Sequence, residues 1–478
     1  MIETPLWPAA KAARRSAERG GSDAMFGGLL FVVALAPRLC VALAWAGEAV
    51  WDGHYYDFGA RRIAAGQGYS DDLATAAGPL WHPWCHYPVG YSAFLAIFYR
   101  LFGSSHAVAA VANALVGAAL AVATWAVAAQ ALTRTRARIA GAIVALHPGL
   151  VLYAALVMSE PLAALLTLVA FWATVRDMRP LRGVVLGGLV LGVATLVRPQ
   201  ALLCAPFLAW VGRWRLRERA IAAALACVAA LLVVSPWTAR NCMVMDGCAL
   251  VSTNAGWNLA IGAFPRATGR FETLRSSDGC RDVSGQVQQD RCWFSYGLAQ
   301  IEARPWHWIR LVPAKLGFTF DHESFPVEYL HEARPTAWPD AWRSAVRGAM
   351  TFVHRLLMAA AAFGCVAFPW NARMRGAAMQ GALLATAGAL IAFAFGGDHP
   401  AFWPLAAFVA IVPWVPLPGR PAFGPPLLLV AALLGTTLAT HAAFFGEDRY
   451  HMVVTPVLAI FAAAALRGAQ GATFLSRP

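Results

Sequence analysis

The chain has 478 residues, of which 59% are hydrophobic and only 13% charged, and its mean hydropathy is +0.55. This excludes a soluble globular enzyme and reads as a polytopic membrane protein. The net charge of +13 does not point to nucleic acid, because the basic residues fall in short runs between apolar spans, the positive-inside pattern.

In chain order, Lys11, Arg14, Arg15 and Arg19 lead into a full-length apolar span with no small-residue cleavage site soon after it. Residues 1–24 are therefore expected to be a cytoplasmic segment and not a cleaved signal. Twelve spans fit the pattern, at roughly 25–47, 106–132, 139–156, 160–175, 183–197, 200–212, 220–237, 346–369, 377–395, 401–416, 424–445 and 450–466. The basic runs Arg134–Arg138, Arg176–Arg182, Arg213–Arg219 and the pair Arg373, Arg375 then all face the cytoplasm. The expected fold is all-α, with two large extracytoplasmic loops carrying interfacial helices. The expected division is a transmembrane module at 25–237 containing the outer loop 48–105, a second outer loop at 238–345, and C-terminal spans at 346–478.

The first span ends in Trp51-Asp52-Gly53-His54-Tyr55-Tyr56. An aspartate at the water boundary is only partly solvated and could serve as a general base toward a substrate held at the bilayer surface. The plainer reading is an interfacial residue that ends the helix. Residues 52–65 can form an amphipathic interfacial helix, with Trp51, Tyr55, Tyr56 and Ile63 as anchors and Arg61 and Arg62 in the headgroup zone. From Asp52 the text continues through Tyr56, Ala60, Ile63, Gly66, Gly68, Tyr69 and Ser70. It resembles the first-loop signature D-x-x-x-Y-x-x-x-A-x-x-L-x-x-G-x-G-(F/Y)-S of GT-C glycosyltransferases, in the branch of protein O-mannosyltransferases, aminoarabinose transferases and RgtA-like enzymes. The resemblance implies that Asp52 is the catalytic carboxylate. Gly53 departs from the acidic residue that follows this aspartate in protein mannosyltransferases.

Further along, Tyr87-Pro88-Val89-Gly90-Tyr91, followed by Tyr99-Arg100-Leu101-Phe102-Gly103, resembles the family's Y-P-P-G-Y and Y-R-L-F-G. His82 and His86 in this loop could hold a metal or donate to a phosphate, or be partly exposed residues of an aromatic belt. Ser159-Glu160-Pro161 resembles the family's S-E-P, where relatives carry a second acidic site residue. Glu160 is otherwise a helix N-terminal acid favoured by the macrodipole. Arg198 in Thr195-Leu-Val-Arg198-Pro199 and Arg449-Tyr450 in Glu447-Asp448-Arg449-Tyr450 match T-L-x-R-P and E-x-R-Y. The resemblance makes them lipid-phosphate contacts, and snorkelling to headgroups is the alternative. The turn Gly396-Gly397-Asp398-His399 matches no family element. Ser252-Thr253-Asn254-Ala255-Gly256-Trp257-Asn258-Leu259 resembles S-T-N-x-G-x-N-L. Amides at Asn254 and Asn258 suit sugar hydroxyls and Trp257 suits a sugar face, although a polar turn network is an equally good reading. Residues 289–316 read as helical, capping the site from outside.

The resemblance implies a polyprenyl-phosphate sugar donor, a lipid, glycan or protein acceptor, and transfer with inversion at the outer face of a bacterial inner membrane. No cofactor is required. A divalent metal is allowed, since Asp52, Glu160 and His86 could converge. A non-catalytic lipid-linked sugar binding protein, or a transporter, is the other class. Cys280 with Cys292, or Cys242 with Cys248, could form disulfides on the outer side, where such bonds persist.

Overall fold

The computed structural model describes residues 7–76, 78–177, 179–212, 214–367, 374–396, 401–417 and 422–466. The turn at 397–399 and Arg373 lie outside them. The elements are α1 (Trp7–Trp45), α2 (Asp52–Ala64), β1 (Ser70–Thr75), β2 (Gly78–Pro83), α3 (Val89–Phe102), α4 (His106–Ala128), α5 (Arg134–Leu146), α6 (Pro148–Leu152), α7 (Glu160–Arg176), α8 (Pro180–Val197), α9 (Leu216–Val244), α10 (Ala255–Ala263), α11 (Gln286–Ala303), α12 (Pro305–Arg310), α13 (Val312–Phe320), α14 (Phe325–Ala333), α15 (Asp340–Val366), α16 (Met374–Gly396), α17 (Trp403–Ile411), α18 (Pro425–Ala443) and α19 (Thr455–Ala464). A 3₁₀ stretch, Pro199–Val211, links α8 to α9, and another, Asp448–Val453, precedes α19.

Among the described residues, seven helices are long and apolar enough to cross a membrane, or eight if the pair Arg134–Leu146 with Pro148–Ala155, bent by 53°, counts as one span. The expected count of twelve is not confirmed among them. Helix α7 has 17 residues, about 26 Å at 1.5 Å per residue, just short of the ~30 Å apolar layer. The 3₁₀ stretch has 13 residues, and its looser rise of ~2.0 Å per residue carries it about as far.

Alanine dominates these helices because it forms helix without side-chain entropy loss, and small residues let them approach. At Gly188 and Gly192 a Cβ would stand 2.6 Å from the carbonyls of Ala226 and Ala230, so α8 and α9 meet backbone to backbone, the small-xxx-small mode of membrane packing. Gly90 likewise seats the start of α3 against Leu196 and Val197, beside Arg198. The helix break between α5 and α6 exposes carbonyls that lipid cannot satisfy. Arg38, fully buried in α1, donates to Val144 (2.9 Å) and Ala145 (2.6 Å) there. Its space exists because position 117 is glycine; a Cβ would lie 2.5 Å from the Arg38 Nε.

Three features of the large loops differ from expectation. The first loop holds an antiparallel hairpin, with Leu73 opposite Leu80 and Asp71 opposite His82, so the fold is not purely helical. Arg62 is not in the headgroup zone. It is 7% exposed and donates to Asp72 (2.7 and 2.9 Å) and Ser70 (3.0 Å), fastening α2 to β1. A guanidinium that can form a two-point bond to a carboxylate gains more there than in solvated headgroups. Helix 289–316 is real but broken in three, at Arg304–Pro305 and Leu311. Both candidate disulfides form, Cys242–Cys248 and Cys280–Cys292.

Which side of the membrane these loops face sets a test. Ser277 and Arg217 are both exposed, in the second large loop and at the start of α9. Ser277→Cys should react with a membrane-impermeant maleimide in intact cells, and Arg217→Cys only after permeabilisation, each compared with the parent chain. Labelling of position 217 from outside would reverse the orientation.

Candidate active site

Helix α2 begins at Asp52, and the residue before it, Trp51, has φ 49°, the sole non-glycine with positive φ among the described residues. A bulky residue held there is strained. Edge contacts with Tyr329 (5.8 Å) and a tilted contact with Phe325 (5.5 Å) hold its ring. The strain turns the chain so that the Asp52 carboxylate enters a cavity of about 520 Å³.

Asp52 Oδ1 accepts from the Tyr87 hydroxyl at 2.8 Å, and Oδ2 accepts from Arg449 Nη1 at 2.5 Å. Burial raises this carboxyl, but Arg449, Tyr87 and the more distant Arg198 outweigh it and hold it below the usual aspartate range. Arg449 Nε also lies 2.7 Å from Glu447, and its Nη2 donates to the Tyr450 hydroxyl at 3.2 Å. Glu447 is pushed up by burial, with Arg449 opposing and Asp52 adding. Asp448 turns the other way and accepts from Phe325 N at 2.7 Å and from Ser324 N and Oγ, which anchors the turn.

A second acid–arginine pair stands across the cavity. Glu160, fully buried at the start of α7, accepts from Arg198 Nη1 at 2.7 Å; Ser159 shares that donor at 3.4 Å. Arg198 Nη2 and Nε make no hydrogen bond among the described residues, so this guanidinium has donors to spare. Arg449 has both terminal nitrogens hydrogen-bonded, to Asp52 and Tyr450, and its Nε in an ion-pair contact with Glu447. Tyr450 lies between the pairs: its ring stacks on His441 at 4.1 Å, and both guanidiniums lie over it, at 5.3 and 5.0 Å.

Ten of the residues singled out from the sequence line this one cavity: Asp52, Tyr56, His86, Glu160, Arg198, Asn254, Trp257, Asn258, Arg449 and Tyr450. Asp290 fixes the wall carrying Trp257, accepting from Gly256 N (2.8 Å) and Trp257 N (3.3 Å). His86 meets the Trp257 ring edge-on at 5.9 Å, and burial lowers its pKa. Leu203, Leu250, Ile261, Phe271 and Phe444 make the remaining wall apolar. His82 is elsewhere: it pairs with Asp71 on the hairpin at 2.7 Å. Tyr87 and Glu447 are site residues that the motif reading passed over, although both lie inside quoted motifs. Neither spacing nor residue type distinguished Tyr87 from the surrounding aromatic belt.

Asp52, Glu160 and His86 do not form a metal cluster, because each carboxylate is taken by an arginine. Among the described residues, the group of close metal-ligating side chains is Glu323, His354 and His451.

Gly53 has no room for a side chain. A Cβ would press on the Tyr329 hydroxyl and lie 2.8 Å from the Val157 carbonyl. The acidic neighbour typical of protein mannosyltransferases is thus sterically excluded here. Gly53→Ala should lower stability by about 1–3 kcal/mol, the usual range for overpacking, read as a reduced Tm of the purified chain. An unchanged Tm would show that Tyr329 moves aside freely.

Residues 86–239, just under a third of the chain, match the family model described as dolichyl-phosphate-mannose-protein mannosyltransferase. No curated protein matches the sequence. Among solved structures, the archaeal oligosaccharyltransferase AglB from Archaeoglobus fulgidus, in complex with an inhibitory peptide and a dolichol-phosphate, aligns at TM-score 0.45 and 12% identity, over 92% of this chain and 50% of that one. ArnT from Cupriavidus metallidurans aligns in the apo state at TM-score 0.36 and 14% identity, and bound to undecaprenyl phosphate at 0.34 and 15%, each over 91% of this chain and 78% of that one. The chain spans about half the length of the archaeal enzyme.

Proposed function

From a family match that supports membership of the GT-C superfamily, we propose that the chain is a membrane glycosyltransferase that moves a sugar from a polyprenyl phosphate to an acceptor hydroxyl at the extracytoplasmic face. The carrying observation is the convergence on one partly apolar cavity of Asp52, held ionised by Arg449 and Tyr87, and of Arg198, which keeps unused donors. An apolar wall next to two guanidiniums fits a lipid whose headgroup is a phosphate.

Arg198 holds the donor phosphate, with Tyr450 as the floor beneath it. Asn254, Asn258 and Trp257 take the sugar, and His86 borders it. Asp52 accepts the proton of the acceptor hydroxyl while the new C–O bond forms at the anomeric carbon. The bond to phosphate oxygen breaks on the opposite side, and the polyprenyl phosphate leaves with the electron pair, inverting the configuration. Arg198 stabilises the charge growing on that oxygen. Glu160 orients Arg198 and is a positioning residue. The transferred sugar is a hexose or pentose, and the acceptor is a lipid, glycan or protein hydroxyl. The protein lies in a bacterial plasma membrane. Residues 25–237 make the transmembrane module, with the catalytic loop at 48–105; the loop at 238–345 closes it from outside, and the spans of 346–478 return Arg449 to Asp52.

Donor recognition can be tested without knowing the acceptor. Polyprenyl phosphate should raise the Tm of the purified chain and the matching polyprenyl alcohol should not. Equal effects of the two lipids would mean that the cavity reads only the hydrocarbon.

A further inference from the structure

Behind the active-site turn, Glu323, His354 and His451 meet in a fully buried cluster that catalysis does not use. They come from three places: the link between α13 and α14, the middle of α15, and the 3₁₀ turn two residues after Arg449. We propose that these three side chains bind a divalent metal ion, zinc by donor type.

Backbone carbonyls determine the tautomers. His451 Nδ1 faces the Thr319 carbonyl at 2.7 Å, and His354 Nε2 faces the Phe320 carbonyl at 2.8 Å. A carbonyl can only accept, so each of these nitrogens carries its hydrogen. The opposite nitrogens are then bare, and both point at one oxygen. His451 Nε2 lies 3.2 Å and His354 Nδ1 3.8 Å from Glu323 Oε2. Two bare lone pairs aimed at a carboxylate oxygen repel unless a proton or a metal cation lies between them. No Lys or Arg forms an ion pair with Glu323 among the described residues; its ion-pair partners there are histidines. His354 Nδ1 and Glu323 Oε1 have no hydrogen-bond partner among the described residues. Gly149 leaves the carboxylate its room, because a Cβ there would strike Oε1.

The same reasoning excludes His147 as a ligand. Its Nδ1 accepts from Leu150 N at 3.4 Å, so its Nε2 carries the hydrogen and faces Glu323 Oε2 at 3.7 Å. It stands beside the carboxylate without a hydrogen bond to it, whereas the two carbonyls orient the imidazoles. Two neutral imidazoles with one carboxylate form a donor set suited to zinc. The three donor atoms lie within 4.8 Å of one another. Bonds of ~2.0–2.1 Å in a tetrahedron place donors about 3.4 Å apart; His451 already stands at 3.2 Å from the Glu323 oxygen, so loading mainly draws His354 in from 3.8 Å. It also parts the two imidazole rings, which stack at 4.0 Å in this structure. An ion there ties the turn carrying Arg449 to α15 and to the start of α14, away from any substrate. Its role is to hold the turn.

The test uses the full chain in detergent, purified without chelators and with any histidine tag removed. Elemental analysis should find a single equivalent of zinc, lost in Glu323→Gln and His354→Gln but kept in Asp52→Asn. Cobalt loading should give the strong visible bands of a four-coordinate site, X-ray absorption should show two imidazoles, and a strong chelator should lower Tm. If the variants fail to fold, cobalt and X-ray absorption spectra of the parent chain decide. The proposal fails if the parent chain retains no stoichiometric zinc and neither zinc nor cobalt raises its Tm, which would leave a proton between these histidines and Glu323. It fails equally if the bound metal shows only oxygen donors, or leaves with Asp52→Asn and stays with Glu323→Gln.

Discussion

Asp52→Asn should cut glycosyl transfer by about 10²–10⁴-fold, the range that a general base contributes, while the chain still inserts and folds. The amide keeps the shape and can still accept from Tyr87 or Arg449, but it cannot take a proton. Arg449 is not left unbalanced, because Glu447 stays 2.7 Å from its Nε, so Tm should change little. Donor binding should also be retained, since Arg198 and Glu160 form a separate pair. The comparison is single-turnover transfer at saturating lipid-linked donor beside a donor-binding measurement. Turnover above about a tenth of the parent's would remove Asp52 from the base role. Absence of transfer by the parent chain itself would favour the non-catalytic binding protein or transporter instead.

Arg449→Lys and Arg198→Lys should separate two jobs that the sequence assigns to one. Lysine carries the charge without the planar fork. At position 449 a single ammonium nitrogen cannot span positions that the arginine fork reaches at once, with hydrogen bonds to Asp52 and Tyr450 and an ion-pair contact with Glu447. Lost hydrogen bonds to charged groups cost about 1.5–3 kcal/mol each, so transfer should drop about 10- to 100-fold with donor affinity nearly intact. Arg449 lowers the Asp52 pKa, and a base works only when deprotonated. The parent's acid limb should therefore lie below the ordinary aspartate value of ~3.9, and Arg449→Lys should move it upward. The same sign applies to stability: the depressed Asp52 contributes above its unfolded pKa, and the contribution is lost as pH falls through the folded one. Arg198→Lys should instead weaken polyprenyl-phosphate binding, with a smaller loss of turnover and no movement of the acid limb. Identical behaviour of the two variants would mean that both arginines hold phosphate. If both variants behaved as the parent chain does, the two arginines would only be snorkelling.

The sequence alone determined what is local. Long apolar runs and the placement of basic residues between them establish a polytopic helical protein, since each run must bury itself and each flank must face water or headgroups. The motif residues were legible because their identities and short spacings survive in one dimension, and the cavity collects ten of those singled out, while His82 goes to the hairpin. Tertiary structure decided which charges meet. Asp52 and Arg449 are 397 positions apart, and no periodicity shows that Arg449 pairs with Asp52 while Arg198 pairs with Glu160. Arg62 looked like a headgroup contact until Asp72 on the hairpin offered its carboxylate, and the hairpin depends on cross-strand pairing that the helical pattern masks. Seven or eight full-length spans stand among the described residues, because hydropathy reports that a segment is apolar, whereas its length across the bilayer depends on bends, breaks and 3₁₀ winding. Glu323, His354 and His451 looked unremarkable in three separate segments. They become a cluster only when packing places them around one oxygen, where low polarity turns ordinary side chains into an electrostatic problem that needs a cation.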